Sequence, residues 1–214
     1  RPSLLLLCQG WGKSGGPGMK GMGKYFVGLL PPPAFEAQIK LLKQGIAAQF
    51  QVKYALQAPA HLTLKMPFRY KEAKEKELGV RLTTLLETQA PFHLQLAGIG
   101  YFGRRNIHQQ VVASESLLQL QATLRSYCKK SLHLVEELSD RNFQPHVTLA
   151  YKDLKLEQFE EVLAFARSHA DRGEFWVDQA YLLKKVEGRW QVIAPLIFGP
   201  DSENLKQGEK EESA

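Results

Sequence analysis

The chain has 214 residues, of which 44% are hydrophobic and 23% are charged, a balance typical of a globular domain. Its formal net charge of +6 is compatible with an anionic partner. Two cysteines, Cys8 and Cys128, are too few for the disulfide framework of a small secreted protein, and their spacing matches no zinc motif. We therefore expect a cytoplasmic protein and exclude a disulfide-rich scaffold.

The two ends of the chain differ in composition from the rest. Residues 1–22 are rich in glycine and lack apolar periodicity, and their leucine run is far too short to span a bilayer. We expect them to be a disordered leader or a remnant of expression cloning. Residues 201–214 are acidic and are expected to form a disordered tail, which leaves one domain over residues 23–200. No membrane association is expected, and the protein is expected to be a monomer.

Helices and strands alternate along this domain. Apolar runs and two-residue alternation predict strands, whereas apolar residues three and four positions apart predict helices. Strands are expected at residues 25–30, 60–66, 92–101, 107–113, 145–151, 174–186 and 189–198. Helices are expected to begin at residue 33 and to span residues 71–88, 117–130 and 156–169. Pro67 is expected to end a strand, Ser114 or Ser116 to cap a helix, and Glu187-Gly188 to form a tight turn.

The order of elements is duplicated. In each half a helix precedes a strand with a distinctive motif, and a second helix and further strands follow it. This layout predicts an α+β, two-lobed fold in which two antiparallel sheets face a central cleft with helices on the outside. One motif strand is expected near the middle of each sheet.

The motifs are His61-Leu62-Thr63-Leu64 and His146-Val147-Thr148-Leu149. Successive strand residues point to opposite faces, so each motif presents an imidazole and a hydroxyl on one face and two aliphatic side chains to the core. One such motif arises easily by chance, but two copies at corresponding places in a duplicated layout are much less easily explained in that way.

Two imidazoles that converge on one site are suited to displacement at phosphorus. One ring can take a proton from the attacking oxygen while the other gives a proton to the leaving oxygen, and an imidazole titrates near neutral pH. Threonine hydroxyls can donate hydrogen bonds to the non-bridging phosphate oxygens. This chemistry needs neither a metal nor another cofactor.

The paired motifs resemble those of the two-histidine (2H) phosphoesterase superfamily, which includes 2′-5′ RNA ligase and RNA 2′,3′-cyclic phosphodiesterase proteins. The resemblance covers residues 24–198. It implies that His61 and His146 are catalytic, as acid and base respectively, and that Thr63 and Thr148 bind phosphate. The chain departs from many RNA-directed relatives at Tyr151, where those proteins have an arginine.

The resemblance implies a metal-independent phosphodiesterase that opens 2′,3′-cyclic phosphate ends of RNA or nucleotides to 2′-phosphates. Three alternatives stay open: 2′-5′ ligation by the same site, hydrolysis of a small cyclic nucleotide, and binding of a nucleotide or RNA end without turnover. Tyr101, Phe102, Arg104 and Arg105 are further places where a nucleobase or its backbone could bind.

Overall fold

A computed structural model of the protein describes residues 21–200, so the acidic tail and nearly all of the predicted leader lie outside the described residues. The described part contains eight strands: β1 (Met22–Leu29), β2 (Leu62–Lys71), β3 (Phe92–Phe102), β4 (Asn106–Val111), β5 (His146–Tyr151), β6 (Gly173–Val177), β7 (Gln179–Val186) and β8 (Arg189–Ile197). It contains five α-helices: α1 (Pro33–Phe50), α2 (Glu75–Leu86), α3 (Glu115–Lys130), α4 (Leu138–Arg141) and α5 (Phe159–His169).

The strands form a single antiparallel sheet in the order β6-β3-β4-β5-β2-β1-β7-β8. The α+β class is confirmed, but the prediction of two separate sheets is wrong. The two halves are joined because β2 and β5 pair with each other, in a contact that centres on Leu62 and Val147. The motif strands are therefore the two central strands of one sheet, and neither lies in the middle of a sheet of its own.

The duplicated layout is visible in the strand order. From the β2–β5 junction, β1, β7 and β8 follow on one side, and β4, β3 and β6 follow on the other. Helix α1 connects β1 to β2, and helix α3 connects β4 to β5, so each half has a strand–helix–strand unit that ends in a motif strand. This correspondence makes it possible to compare equivalent residues in the two halves.

Two boundary predictions are wrong. The predicted strand at residues 174–186 is broken at Asp178 into β6 and β7, which pair with β3 and β1 in opposite halves of the sheet. Strand β2 also continues past Pro67, because its pairing with β1 shifts between Lys65 and Phe68. A bulge of this kind accommodates a proline, which has no N–H to donate to the ladder.

The core lies on one face of the sheet. Leu62, Leu64, Val147 and Leu149 of the motif strands are all buried there, in one cluster with apolar residues of the helices. The alternation of buried and half-buried residues along β2 and β5 leaves the histidines and threonines on the opposite face. Within residues 21–200, none of the helices combines the length and the apolar character needed to cross a bilayer.

Candidate active site

The four residues predicted from the motifs line one cavity of about 510 Å³. All four side chains are half-buried. The antiparallel register at the β2–β5 junction places His61 level with Thr148 and Thr63 level with His146. The two imidazoles therefore lie at opposite corners of the junction, with a hydroxyl at each of the other corners. A small anion between them can be approached by a histidine from either side.

Each imidazole is held by the same local hydrogen bond. Nδ1 of His61 lies 2.8 Å from the carbonyl oxygen of Pro59, and Nδ1 of His146 lies 2.7 Å from that of Gln144. A carbonyl oxygen can only accept, so Nδ1 carries the proton and the neutral ring has its lone pair on Nε2. Neither Nε2 has a hydrogen-bond partner among the described residues. Each ring can thus act as a base when neutral and as an acid when protonated.

An aromatic side chain of the neighbouring strand β1 packs against His61. Its ring centroid lies 4.7 Å from that of Phe26, which in turn meets Trp190 edge to face at 4.7 Å. Strand β1 approaches β2 closely at Gly28, where an added Cβ would lie 2.9 Å from the carbonyl oxygen of Leu62. The glycine allows this approach, and the aromatic pair restricts the orientation of the imidazole.

The surroundings of His146 are different. Its ring meets Phe102 edge to face at 4.9 Å, and it lies 4.9 Å from the ring of a third histidine, His108. His108 is buried, and its Nδ1 lies 2.9 Å from Oδ1 of Asn106. An added Cβ at Gly100 would lie only 2.9 Å from Nε2 of His108, so the glycine leaves room for this ring. Sequence reasoning assigned no function to His108, and the structure places its ring beside that of His146.

Burial makes these histidines difficult to protonate. The pKa of His61 is lowered to about 4, mainly by loss of solvation, with smaller contributions from the nearby positive charge of Lys43 and from His146. The carbonyl of Pro59 opposes this shift. The pKa of His146 is also lowered, again mainly by burial, with the carbonyl of Gln144 acting in the opposite direction. At neutral pH both rings of the free protein are therefore neutral.

The remaining lining of the cavity is rich in aromatic side chains and, apart from Lys43, uncharged. Of the described residues that line it, Lys43 of α1 is the one titratable cation besides the two histidines, and none is a carboxylate. The aromatic lining residues are Phe26, Tyr54, Phe102, Phe143, Tyr151 and Trp190. Flat apolar surfaces of this kind are suited to stacking with a nucleobase. Sequence reasoning considered Phe102 and Tyr151 as contacts but missed the other four and Lys43.

Tyr151 and Tyr54 form one wall of the cavity. Their rings meet edge to face at 5.3 Å, and Nζ of Lys152 donates to the Tyr54 hydroxyl at 2.9 Å. Oδ2 of Asp153 accepts from the backbone N–H groups of Lys53 and Tyr54 at 2.8 Å each, which fixes the turn that carries Tyr54. This wall is thereby attached to the end of β5.

The other residues considered in the sequence do not reach the cavity. Tyr101 packs edge to face on Phe159, and Arg104 pairs with Glu160 on the surface. Arg105 lines a separate groove. Among residues 21–200, no three His, Cys, Asp or Glu side chains cluster in a way that could hold a metal ion.

Comparison with known proteins identifies relatives over most of the chain. The family model of the 2′-5′ RNA ligase superfamily matches residues 31–189. A predicted phosphoesterase of Bacillus licheniformis is 26% identical over 179 residues, which are 82% of this chain and 99% of that protein. One of Geobacillus sp. strain WCH70 is 27% identical over 179 residues, which are 82% of this chain and 96% of that protein.

Solved structures share the fold. E. coli LigT complexed with 3′-AMP has a TM-score of 0.58 and 20% identity, over 83% of this chain and 98% of that protein. A protein of Thermus thermophilus has a TM-score of 0.55 and 19% identity, over 81% of this chain and 97% of its own. LigT has also been crystallised with phosphate, with NADP+ and with ATP.

Proposed function

Since this chain belongs to the 2′-5′ RNA ligase superfamily, we propose that it is a phosphodiesterase that opens 2′,3′-cyclic phosphate ends of RNA or nucleotides. The observation that carries the proposal is the matched pair of imidazoles, each with Nδ1 on a backbone carbonyl and Nε2 without a partner among the described residues. An acid–base reaction at phosphorus requires two such groups on one anion.

In the proposed reaction a water molecule attacks phosphorus and loses a proton to Nε2 of the neutral histidine. The bond from phosphorus to O3′ breaks, and the departing oxygen receives a proton from Nε2 of the protonated histidine, which leaves a 2′-phosphate. Thr63 and Thr148 donate hydrogen bonds to the non-bridging oxygens, whose charge increases in the transition state. With the 5′-hydroxyl of an RNA strand attacking phosphorus in place of water, the same steps give 2′-5′ ligation.

The family resemblance implies that His61 is the acid and His146 the base. In these roles the bound substrate must raise the pKa of His61. His61 has the more strongly lowered pKa, so the free protein holds its proton poorly. A phosphate anion bound beside the ring favours the imidazolium and raises its pKa. In this proposal the substrate therefore helps to charge the acid before the reaction.

A nucleotide ligand is supported by the cavity and by the fold relatives. A volume of about 510 Å³ lies within the range of ordinary small-molecule sites, and its aromatic lining can stack a base. LigT, which shares the fold, binds 3′-AMP, NADP+ and ATP in crystals. These facts favour a substrate in which a nucleoside is attached to the reacting phosphate.

The test is turnover of a short RNA that ends in a 2′,3′-cyclic phosphate, in the presence of EDTA. We expect the wild type to produce a 2′-phosphate and His146→Asn to be slower by about 10²- to 10⁴-fold, the usual effect of losing a general acid or base. Asparagine retains a donor near the position of Nδ1 but has nothing at Nε2. The matched control is His93→Asn, at an exposed histidine on β3 outside the cavity, which should leave the rate unchanged.

The outcomes separate the alternatives. Conversion of 2′,3′-cyclic AMP without conversion of RNA would make the substrate a small cyclic nucleotide. Joining of ends without hydrolysis would make the protein a ligase. Equal rates for the wild type and His146→Asn would contradict the assignment of the site, and binding of the RNA end without any product would indicate a non-catalytic protein.

A further inference from the structure

Lys43 occupies a position where a hydrophobic residue would be expected. It belongs to the buried side of α1, together with Ile39, Leu42, Ile46 and Phe50, and only 4% of its surface is exposed. It also lines the cavity that contains His61. A lysine is almost never fully buried unless it has a partner.

The duplicated fold supplies a direct comparison. The buried residues of α3 are Leu117, Leu120, Gln121, Leu124 and Cys128, and their spacing is identical to that of the five buried residues of α1. Gln121 is the residue of α3 that corresponds to Lys43. Both are polar residues on a helix that connects to a motif strand.

The two residues make equivalent hydrogen bonds. Nζ of Lys43 donates to the carbonyl oxygen of Ala55 at 3.2 Å, in the segment before the first motif. Nε2 of Gln121 donates to the carbonyl oxygen of Asp140 at 2.9 Å, in the segment before the second motif. An uncharged amide is thus sufficient to anchor such a segment, and Gln121 does not line the cavity. The positive charge of Lys43 needs another explanation.

Within residues 21–200 this charge has no direct counterion. Among the described residues no carboxylate lies within 4.0 Å of the Lys43 ammonium, and none lines the cavity beside it. An uncompensated buried cation is costly. Burial lowers the pKa of the Lys43 ammonium to about 8, which still leaves it mostly charged at neutral pH.

We propose that Lys43 is a phosphate-binding residue of the cavity, and that a phosphate held between the two motifs is the counterion of its ammonium group. Lys43 then offers the phosphate a full positive charge beside His61, whereas the two threonines offer only hydroxyl dipoles. This inference rests on the proposed function, because it concerns the phosphate on which the motifs act.

Several other titratable groups surround Lys43. Glu36 and Lys40 lie on its own helix, and Tyr54 lies on the turn that it anchors. His61 and His146 line the same cavity, and Arg189 of β8 lines the adjoining groove.

Two of these groups are coupled to Lys43 electrostatically. Glu36 raises the pKa of Lys43, and Lys43 lowers that of His61. The lowered pKa values of the two histidines keep both rings neutral above pH 7. A bound anion can raise the pKa of His61, so the part of the pH dependence between pH 7 and 9 that Lys43→Gln abolishes is the part assigned to Lys43.

The test uses inorganic sulfate, a tetrahedral anion whose charge is constant over this range, titrated calorimetrically from about pH 7 to about pH 9.5. We expect the affinity of the wild type to fall by up to tenfold per pH unit above about pH 8, as binding becomes linked to the uptake of one proton. Lys43→Gln should bind sulfate roughly 10- to 100-fold more weakly at pH 7, the usual loss for one charged hydrogen bond, with little change up to about pH 9.5.

Glutamine is chosen because Gln121 already makes the equivalent structural bond. The matched control is Gln121→Met, which removes that bond in the other half and should change thermal stability but not sulfate affinity. The measurement on the wild type stands even if Lys43→Gln folds poorly. Equal sulfate affinity of the wild type and Lys43→Gln, a flat profile for the wild type, or no binding at millimolar sulfate would each overturn the proposal.

Failure of this inference is distinguishable from failure of the proposed function. If Lys43→Gln binds sulfate normally while His146→Asn abolishes turnover, Lys43 has only its structural bond and the proposed function stands. If sulfate binding depends on Lys43 but no cyclic phosphate is hydrolysed, the anion site stands and the proposed reaction does not.

Discussion

Replacing Lys65 by methionine is expected to destabilise the protein strongly, because it would leave a buried carboxylate without its cation. Lys65 of β2 and Asp140 of α4 form an ion pair in which both side chains are at most 2% exposed. Nζ of Lys65 also donates to the carbonyl oxygen of Val135 at 2.9 Å. The pair joins the strand of the first motif to the segment that precedes the second motif.

The magnitude follows from what remains around Asp140. Its carboxylate also accepts from the backbone N–H groups of Met66 at 2.8 Å and Glu137 at 2.9 Å. In Lys65→Met these two donors stay, but a buried negative charge is no longer compensated. Removing one partner of a buried ion pair costs about 3–5 kcal/mol. We expect a loss of this size in the free energy of unfolding.

The assay is thermal and urea unfolding of the wild type and the variant. For a domain of this size, a loss of about 3–5 kcal/mol lowers Tm by roughly 6–20 °C. The control is Arg104→Met, which breaks the surface pair with Glu160, whose side chains are 51% and 67% exposed. Exposed pairs contribute at most about 1 kcal/mol, so Arg104→Met should change Tm by only a few degrees.

The double variant Lys65→Met/Asp140→Asn isolates the effect of the charge. It removes both charges but retains an amide oxygen that can accept from Met66. We expect it to be more stable than Lys65→Met alone, because no buried charge is left unpaired. If Lys65→Met lowered Tm no more than Arg104→Met, or if the second substitution only added to the loss, the argument from uncompensated buried charge would be refuted.

Two further predictions concern the proposed reaction. The pH profile of kcat/KM, which reports the free protein, should be bell-shaped with its maximum below about pH 6.5. The pKa values of both His61 and His146 are lowered, so the singly protonated pair exists only at acidic pH. A maximum of kcat/KM at or above about pH 7.5 would contradict the mechanism. Thr148→Val should lower kcat by roughly 10- to 100-fold, because one hydrogen-bond donor to the transition state is lost, whereas Thr148→Ser should keep most of the rate. Equal rates for the two variants would show that the hydroxyl does not act on the phosphate.

Most of the local structure could be predicted from the sequence because its causes are local. Ser114 caps α3 by accepting from the N–H of Leu117, and Glu187 and Gly188 both have positive φ in the turn between β7 and β8. The alternation in the motifs correctly assigned aliphatic residues to the core and His61 and His146 to the other face. These features depend on a few neighbouring residues and on backbone sterics.

The candidate site was predictable only where the residues carry a recognisable pattern. The paired motifs identified the two histidines and the two threonines, whose roles in catalysis stay predictions until variants are measured. Lys43 carries no such signal, since a lysine beside Leu42 in an amphipathic helix looks like a solvated residue at the edge of the apolar stripe. Only its correspondence with Gln121 could have drawn attention to it.

Pairing between distant strands was decided by the tertiary structure. The pattern of residues 174–186 indicates strand but does not specify a partner, so the break at Asp178 and the divergence of β6 and β7 were not predictable. The junction at Leu62 and Val147, which merges the two expected sheets, is likewise a contact between residues far apart in the chain. The sequence by itself determined which residues point away from the core, because side-chain alternation is a property of the strand. Only the tertiary structure brought the two motifs and Lys43 around one cavity, because that arrangement depends on how the strands pair and how the helix packs.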